Sequence, residues 1–369
     1  MKFRPLRSHS AELQRIDLLR FVASIGILWH HSHEFLYPVS IRAAVHAQTQ
    51  ALALFVDLFF TISGFVISYV YADRSMAGGG YARFLQKRVA RLIPLHWLTF
   101  ALMWLFWAAI IRKGIVVDHP PELSAGCSIN TLLLAHAIIP CGNGNVPNGV
   151  TWSISVEVLL YLAFPLMLLV CRSRIASTLW MATLIGIGIW AMKRGGGNWE
   201  DVHPVLRGLL SFSVGIQLYV YRRFLGRIPF NSTHVLLLLA ALLASMLTGT
   251  AEYWVLGLIY LLVAVTIGAD IRARPTGMFE AIAPLGQMTY SIYLWHSLFI
   301  SILLNALADK LLKLHGPAMW GMVALCYILV LAISYLSWTL YEEPARRWID
   351  GLGRTDPGRR RPKAATAKP

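Results

Sequence analysis

Apolar residues are collected into long runs along most of this chain, and few charged residues interrupt them. Runs of about 18 to 25 apolar residues are long enough to cross a hydrocarbon core of about 30 Å as α-helices. We therefore predict an all-α, polytopic membrane protein with about ten transmembrane helices. Their predicted positions are near 16–35, 52–71, 92–111, 152–170, 177–192, 205–221, 234–249, 252–269, 279–305 and 320–340.

The apolar segment from Ile129 to Pro140 is too short to cross a bilayer. We predict that it is re-entrant or interfacial and that it packs against protein, because lipid cannot satisfy its backbone polar groups. Cys127 and Cys141 bracket this segment. An oxidising outer compartment would favour a disulfide between them. The alternative is two unpaired cysteines, because a bridge requires Cα atoms closer than about 7 Å.

The composition supports a membrane protein and excludes a soluble globular one. Hydrophobic residues make up 57% of the chain and charged residues 14%, whereas soluble domains are about half apolar and a quarter charged. The net charge is +15. If the N-terminus faces the cytoplasm, roughly three-quarters of the Lys and Arg residues fall on the inner side, in accord with the positive-inside rule. This distribution predicts that both termini are cytoplasmic. Because membrane insertion explains the surplus of basic residues, no nucleic-acid partner is expected.

We predict one transmembrane domain over residues 1–347 and a basic, disordered cytoplasmic tail over residues 348–369. The longest predicted segment outside the membrane, residues 112–151, is too short to sustain a separate core. No internal repeat of the kind that transporters often carry is evident. Because nearly all of the chain is predicted to lie in or beside the membrane, the lipid bilayer is the first partner that the sequence predicts.

Arg20 and His31 are ionisable residues within the first predicted span. Their separation corresponds to about three helical turns, so both side chains fall on one helix face, about 16 Å apart along the axis. Ionisable residues inside a bilayer are costly and usually functional. Two alternatives stay open. In the alternative for Arg20, its guanidinium extends to the inner surface of the membrane. In the alternative for His31, the residue is interfacial and lies near the outer headgroups.

Asp57 in the second span and Glu157 in the fourth are predicted to lie at a depth similar to that of His31. If the three helices are neighbours, these groups form a catalytic constellation, because a carboxylate can orient an imidazole and stabilise its charged form. Asp57 is expected to pair with His31 or with an arginine, and a purely structural ion pair stays open. Ser63, which precedes a glycine, is expected either to allow close helix packing or to contact the substrate.

Arg88 and Arg91 are spaced i and i+3, so their side chains share one helix face at the inner end of the third span. Two guanidiniums on one face suit a multiply phosphorylated ligand, since arginine binds phosphate in a bidentate manner. Anchoring of the helix at the inner surface would also place basic residues here. His296, near the middle of the ninth span, is a candidate for a substrate contact or a structural role, as are Trp152 and Ser153 at the start of the fourth span.

Six segments, in this order, resemble acyltransferase family 3, the membrane-bound acyltransferases that O-acylate bacterial surface carbohydrates, and most closely its stand-alone exopolysaccharide type. They are RIDLLRFVASIGILWHH, DLFFTISGF, RFLQKRVARLIPLHW, TWSISVEVLLYLAFP, YSIYLWH and YEEPAR, over residues 12–347. The R-x10-H, R-x-x-R and W-S-x-x-x-E elements of the family fall, in turn, on Arg20 and His31, on Arg88 and Arg91, and on Trp152, Ser153 and Glu157.

The resemblance implies an enzyme that moves an acyl group, with acetyl favoured, from cytoplasmic acyl-CoA to a hydroxyl of an extracytoplasmic exopolysaccharide, lipopolysaccharide or related glycan. The site would lie in the inner membrane of a bacterium. His31 would take the proton of the hydroxyl, with Asp57 or Glu157 orienting it, and an acyl-histidine intermediate stays open. Acyl-CoA is then the donor substrate, which Arg20, Arg88 and Arg91 are expected to bind, and neither a bound cofactor nor a metal is expected.

Arginine, histidine and glutamate side chains within the membrane would also suit a transporter or flippase for a glycan or an anion. This is the alternative function. The two classes differ in one reaction, because an acyltransferase releases free thiol from acyl-CoA and a transporter does not.

Overall fold

The computed structural model describes residues 13–74, 76–77, 79–115, 120–142, 145–171, 173–194, 198–199, 202–274 and 277–352. Within these ranges the regular secondary structure is helical and no strand is formed, which confirms the predicted all-α class. The predicted tail covers residues 348–369, and the part from residue 353 onward lies outside the described residues. Its first residues belong to the last helix, which crosses the predicted boundary at residue 347 and ends at Gly351.

The described chain forms fifteen α-helices, several of which continue through 3-10 or π-helical turns. The α-helices are α1 (Gln14–Ser32), α2 (Val39–Thr49), α3 (Phe55–Tyr71), α4 (Gly80–Arg112), α5 (Ala125–Leu132), α6 (Trp152–Val170), α7 (Arg174–Arg194), α8 (Pro204–Val220), α9 (Arg222–Leu225), α10 (Ser232–Leu247), α11 (Glu252–Arg272), α12 (Met278–Ile282), α13 (Thr289–Phe299), α14 (Pro317–Ser337) and α15 (Glu343–Gly351). Two π-helical stretches, Ile300–Leu311 and Trp338–Glu342, follow α13 and α14.

Seven helical stretches of the described chain are long and apolar enough to cross a membrane. They are Val39–Tyr71, Gly80–Arg112, Gly149–Val170, Arg174–Arg194, Glu252–Arg272, Met278–Leu311 and Pro317–Gly351. The other three predicted spans fall on α1, α8 and α10. The last two are apolar but have only 17 and 16 residues, and α1 carries Arg15, Asp17 and Arg20 near its start. Each predicted span therefore coincides with helical backbone, and seven of these stretches have the length and composition of a membrane helix.

The helices α3 and α8 are in direct backbone contact. A Cβ atom at Gly64 of α3 would lie 2.1 Å from the carbonyl oxygen of Phe212. A Cβ atom at Gly215 of α8 would lie 2.1 Å from the carbonyl oxygen of Thr61. No side chain fits at either position, so glycine lets the two backbones approach, as at helix interfaces in membranes. The close packing predicted for Ser63 and its following glycine is thus confirmed for the glycine.

A buried ion pair joins the same two helices. The carboxylate of Asp57 has no exposed surface, and it accepts a hydrogen bond from Nη2 of Arg207 at 2.7 Å. It also accepts hydrogen bonds from Nε1 of Trp199 at 3.0 Å and from Oγ of Ser211 at 3.1 Å. Loss of one member of such a pair leaves the other charge uncompensated, at a cost of about 3–5 kcal/mol. The pair therefore fixes the start of α3 against α8.

The long helix α4 contains a proline. Pro94 has no N–H group, so the carbonyl of Ala90 lacks its usual helical donor, and the helix bends at such a position. Two tyrosine hydroxyls bind the backbone on this stretch. Tyr290 donates to the carbonyl of Leu92 at 2.5 Å, and Tyr341 donates to the carbonyl of Pro94 at 3.1 Å. The α13 helix and the π-helical stretch after α14 thus bind α4 beside its proline.

The segment between α4 and α6 is closed by a disulfide and bound to α6. The sulfur atoms of Cys127 and Cys141 are bonded, and the two Cα atoms are 5.1 Å apart. Oγ of Ser155 on α6 donates to the carbonyl of Leu134 at 2.6 Å and accepts from the amide of Ala137 at 3.0 Å. The predicted bridge is thus present, and the segment packs against protein as expected.

One face of this segment is apolar and uncovered. Ile129, Leu133, Ile138 and Ile139 are all exposed. The segment forms the short helix α5 and then irregular turns, neither of which is long enough to cross a bilayer. An apolar outer face and a protein-bound inner face are typical of an interfacial segment, which was one of the two predicted arrangements.

We expect the disulfide to stabilise the protein. Replacement of both Cys127 and Cys141 by serine should lower the free energy of unfolding by about 3 kcal/mol, because a crosslink of this length restricts the unfolded chain. Thermal unfolding of the detergent-solubilised protein measures the change. Cys171→Ser is the matched control, since Cys171 is a free cysteine. Full thiol labelling of Cys127 and Cys141 in denatured protein without reductant would contradict the bridge.

Candidate active site

A cavity of about 120 Å³ lies between α1, α3, α4, α6 and α13, and we call it the arginine cavity. Arg20, Arg88 and Arg91 line it, and among its described lining residues Glu157 is the one that carries a carboxylate. All three arginines were predicted to bind one ligand, and the structure brings them to one cavity from two helices. The excess of positive charge attracts anions, and surrounding apolar walls strengthen that attraction.

Arg20 enters the cavity from α1 and is held at both sides of its guanidinium. Its Nη2 donates to Oγ1 of Thr289 at 3.3 Å, and its Nη1 lies 3.6 Å from Oδ1 of Asp17. Asp17 precedes Arg20 by one turn of the same helix, so its carboxylate offsets part of the positive charge. The side chain of Arg20 therefore points into the helix bundle. These contacts differ from the alternative in which Arg20 extends alone to the membrane surface.

Arg88 is surrounded by aromatic rings. Its guanidinium lies over the rings of Tyr71, Phe84 and Tyr161, at 5.5 to 5.8 Å from their centroids. Nη2 donates a long hydrogen bond of 3.4 Å to the hydroxyl of Tyr71, whereas Nε is buried and has no partner in the described chain. Neither Arg88 nor Arg91 forms an ion pair with a carboxylate of the described residues. Their guanidiniums thus keep hydrogen-bonding capacity for a ligand.

Glu157 is bound by neighbours on two helices. Its Oε1 accepts a hydrogen bond from Oγ of Ser63 at 2.7 Å, and the hydroxyl of Tyr161, one turn later on α6, donates to the same atom. Ser153 lies one turn before Glu157 on the same helix and also lines the cavity. Ser63 therefore holds a cavity carboxylate in place, which supports the structural role that was left open for it.

The tautomer of His31 is set by its own helix. Nδ1 of His31 lies 3.0 Å from the carbonyl oxygen of Ile27. Because a carbonyl only accepts, Nδ1 must carry the hydrogen, and the basic lone pair stays on Nε2. The side chain of His31 is exposed, whereas the neighbouring His30 is buried. In the neutral form of His31, Nε2 is therefore the nitrogen that can accept a proton.

His296 lies directly beside His31, with ring centroids 5.1 Å apart. The same arrangement holds its ring, since Nδ1 of His296 lies 3.2 Å from the carbonyl oxygen of Ile292. Its Nε2 is buried and has no hydrogen-bond partner in the described chain. The two histidines form a pair in which each ring keeps an unused lone pair, so His296 belongs with His31 and not to a separate structural cluster.

Tyr293 connects the histidine pair with the arginine cavity. Its ring lies 5.7 Å from that of His296, and it lines the cavity. Its hydroxyl shares a hydrogen bond of 2.7 Å with Oγ of Ser153. The beginning of α6 is held here as well, because Trp152 packs against Phe60 with ring centroids 6.3 Å apart. Tyr293 of α13 and its partner Ser153 of α6 thus join the arginine cavity to the histidine pair.

The predicted constellation of His31, Asp57 and Glu157 is not formed. Asp57 is paired with an arginine, Arg207, which was one of its two predicted alternatives. The described contacts of Glu157 are with Ser63 and Tyr161. The physical reason is the direction of the side chains, because Asp57 faces α8 and is fully enclosed there. Similar depth in the membrane did not bring the three groups into contact.

Three side chains of the site were not predicted. Arg207 was not singled out, and it is 3% exposed and bound to Asp57 within the bundle. Tyr161 and Tyr293 were not singled out. Their spacing could have identified both, since Tyr161 lies one turn after Glu157 and Tyr293 lies about one turn before His296. The partner of Asp57 had no such local signal.

Several curated proteins are similar to this chain over most of its length. Nodulation protein 10 of Rhizobium leguminosarum bv. viciae is 22% identical, over 93% of this chain and 96% of the relative. The acyltransferase MdmB of Streptomyces mycarofaciens is 25% identical, over 95% and 94%. The exopolysaccharide production protein ExoZ of Rhizobium meliloti is 28% identical, over 80% and 92%. No solved structure shows a significant match.

The family model for the acyltransferase domain of acyltransferase family 3 matches residues 13–339. That range contains the arginine cavity, the histidine pair and the segment closed by the disulfide. It also contains most of the helices that have the length and composition of membrane spans. This chain therefore belongs to acyltransferase family 3 and is a helical membrane acyltransferase.

Proposed function

We propose that this protein transfers an acyl group, with acetyl favoured, from cytoplasmic acyl-CoA to a hydroxyl of an extracytoplasmic carbohydrate. The observation that carries the proposal is the meeting of three arginines in one cavity, two of them without a carboxylate partner among the described residues. Buried arginine is costly unless it is paired. A phosphorylated donor substrate would supply the missing negative charge.

The arginine cavity is suited to the phosphates and the arm of an acyl-CoA. Arg88 and Arg91 lie one helical turn apart on α4, so both guanidiniums can contact one pyrophosphate. Arg20 approaches from α1 and can contact the same ligand. The remaining wall is mainly apolar and aromatic, including Phe59, Val66 and other side chains of α3. Such a surface favours the uncharged pantetheine arm over bulk water.

His31 is the proposed general base. Its Nε2 would take the proton of the acceptor hydroxyl as the oxygen attacks the thioester carbonyl. The C–S bond then breaks, and the sulfur of CoA leaves with the proton that His31 received. The carbonyl of Ile27 holds the imidazole through Nδ1 during both steps. The acyl group ends on the sugar oxygen, and the enzyme returns to its starting protonation state.

The proposed topology has ten spans with both termini in the cytoplasm of a bacterium. The seven long apolar stretches, α8, α10 and α1 would form these spans. The distribution of Lys and Arg supports this orientation. The disulfide between Cys127 and Cys141 supports it independently, since a bridged segment is expected in an oxidising compartment.

The proposed reaction has a direct test. The full-length protein in nanodiscs is incubated with acetyl-CoA, with and without de-esterified polysaccharide from the cells that carry the gene. We expect release of free CoA thiol, faster with the polysaccharide present, and ester-linked acetyl on the sugar. A protein that moves the polysaccharide across vesicles but releases no thiol would be a transporter or flippase, and this outcome would overturn the proposal.

We expect His31 to be essential and His30 to be dispensable. His31→Ala should lower the transfer rate by about 10²–10⁴-fold, because the general base is removed. His30 is buried beside it and is not exposed to a substrate, so His30→Ala should keep most of the activity. The measurement is transfer at equal amounts of folded protein. Equal losses in both variants would contradict the assignment.

We expect Arg88→Ala and Arg91→Ala to weaken binding of the donor. Each should raise the KM for acyl-CoA by a factor corresponding to about 1.5–3 kcal/mol, because a charge-assisted hydrogen bond is lost. The KM for the acceptor should change much less. Arg83→Ala is the matched control, since Arg83 is exposed on the same helix. If the variants fail to insert into the membrane but bind the donor normally once folded, the arginines serve as anchors.

A further inference from the structure

A second and larger cavity, of about 560 Å³, lies beside the segment that the disulfide closes. We call it the loop cavity. Its wall contains Cys141 and residues of the following turns, together with the ends of α4, α6, α8 and α13. Trp107 on α4 holds this wall, because its Nε1 donates to the carbonyl of Pro147 at 3.0 Å. The cavity thus depends on the bridged segment for one of its sides.

The loop cavity differs from the arginine cavity in charge. No aspartate, glutamate, lysine or arginine is among the described residues that line it. Two indole side chains, Trp107 and Trp152, contribute broad apolar surfaces. The electron-rich face of an indole attracts the weakly positive C–H groups of a sugar ring. The described lining therefore offers an uncharged ligand more contacts than an ionic one, although the guanidinium of Arg207 lies 5.3 Å from the ring centroid of Trp152.

The same lining offers hydrogen bonds. Ser297 and Ser301 lie one turn apart on α13 and the π-helical stretch after it, and both hydroxyls can donate or accept. His136 is 6% exposed, and its Nδ1 has no hydrogen-bond partner in the described chain. Burial lowers the pKa of His136 to about 4, so its ring is neutral at pH 7. Its other nitrogen, Nε2, lies 3.3 Å from Oγ1 of Thr151.

The loop cavity lies next to the proposed reaction site. Trp152 lines the loop cavity, and the next residue, Ser153, lines the arginine cavity. Ser297 lines the loop cavity and directly follows His296, whose ring contacts that of His31. The loop cavity is therefore lined by residues that directly follow or precede residues of the arginine cavity and of the histidine pair.

We propose that the loop cavity is the acceptor site and that it takes an uncharged sugar unit with free hydroxyls. This inference rests on the proposed function. Aromatic surface for the ring, neutral hydroxyls and an imidazole for the sugar hydroxyls, and the absence of charge in the described lining together match that chemistry. The size of the cavity is adequate for one or two sugar rings, since ligand pockets are typically about 300–1,000 Å³.

A filling substitution tests the assignment. Ser301→Phe places a ring in the loop cavity, whereas Ile302→Phe, at the next position, replaces a residue that is 39% exposed. Both variants are assayed with acetyl-CoA and the de-esterified polysaccharide. We expect Ser301→Phe to raise the KM for the polysaccharide at least tenfold and more than the KM for acetyl-CoA. Ile302→Phe should resemble the wild type.

A second measurement does not require catalysis. Ser301→Cys is labelled with a small maleimide in the full-length protein, with wild-type protein correcting for Cys171 and Cys326. We expect the polysaccharide to slow labelling at least fivefold, and an unrelated anionic polymer to have no effect. Unchanged labelling, or Ser301→Phe with a wild-type KM for the polysaccharide, would overturn the acceptor site. Protection without any release of thiol from acetyl-CoA would instead retain the sugar site and reject the acyltransfer.

Discussion

Pairing of charges inside an apolar helix bundle is the constraint on which this structure depends. Asp57 and Arg207 satisfy it, because the two buried side chains form an ion pair and the carboxylate also accepts hydrogen bonds from Trp199 and Ser211. Arg88 and Arg91 do not satisfy it within the described chain. The contrast separates two uses of charge in one bundle. The ion pair fixes the helices, whereas the arginines without a carboxylate partner leave an excess of positive charge in the arginine cavity.

The α3 helix connects these two uses. On one side its Asp57 and Gly64 bind it to α8, through the ion pair and the backbone contact. On another side its Ser63 holds the carboxylate of Glu157 in the wall of the arginine cavity. Because α8 fixes the position and rotation of α3, it also fixes the carboxylate that faces the arginines. A residue such as Arg207 therefore influences the cavity without lining it.

The sequence predicted those features that depend on a single helix. The lengths of the apolar runs located the helices, since a span must match the thickness of the bilayer. The spacing of Arg88 and Arg91 predicted a shared face, and both residues line one cavity with Arg20. Features that depend on contacts between two helices were harder to predict from the sequence. The partner of Asp57 lies on α8, and no local pattern states which helices pack together, so its predicted contact with His31 was only one of two alternatives.

The proline at position 94 has a consequence for the mechanics of α4. Rigidity along a helix comes from its continuous ladder of backbone hydrogen bonds, and the proline removes one rung, at the carbonyl of Ala90. The turn that carries Arg88 and Arg91 lies on one side of this gap, and the rest of the helix lies on the other. Tyr290 and Tyr341 bind the backbone across it. Hydrogen bonds from α13 and from the end of α14 therefore support the backbone of α4 at the point where its own ladder is interrupted, next to the turn that carries the two arginines.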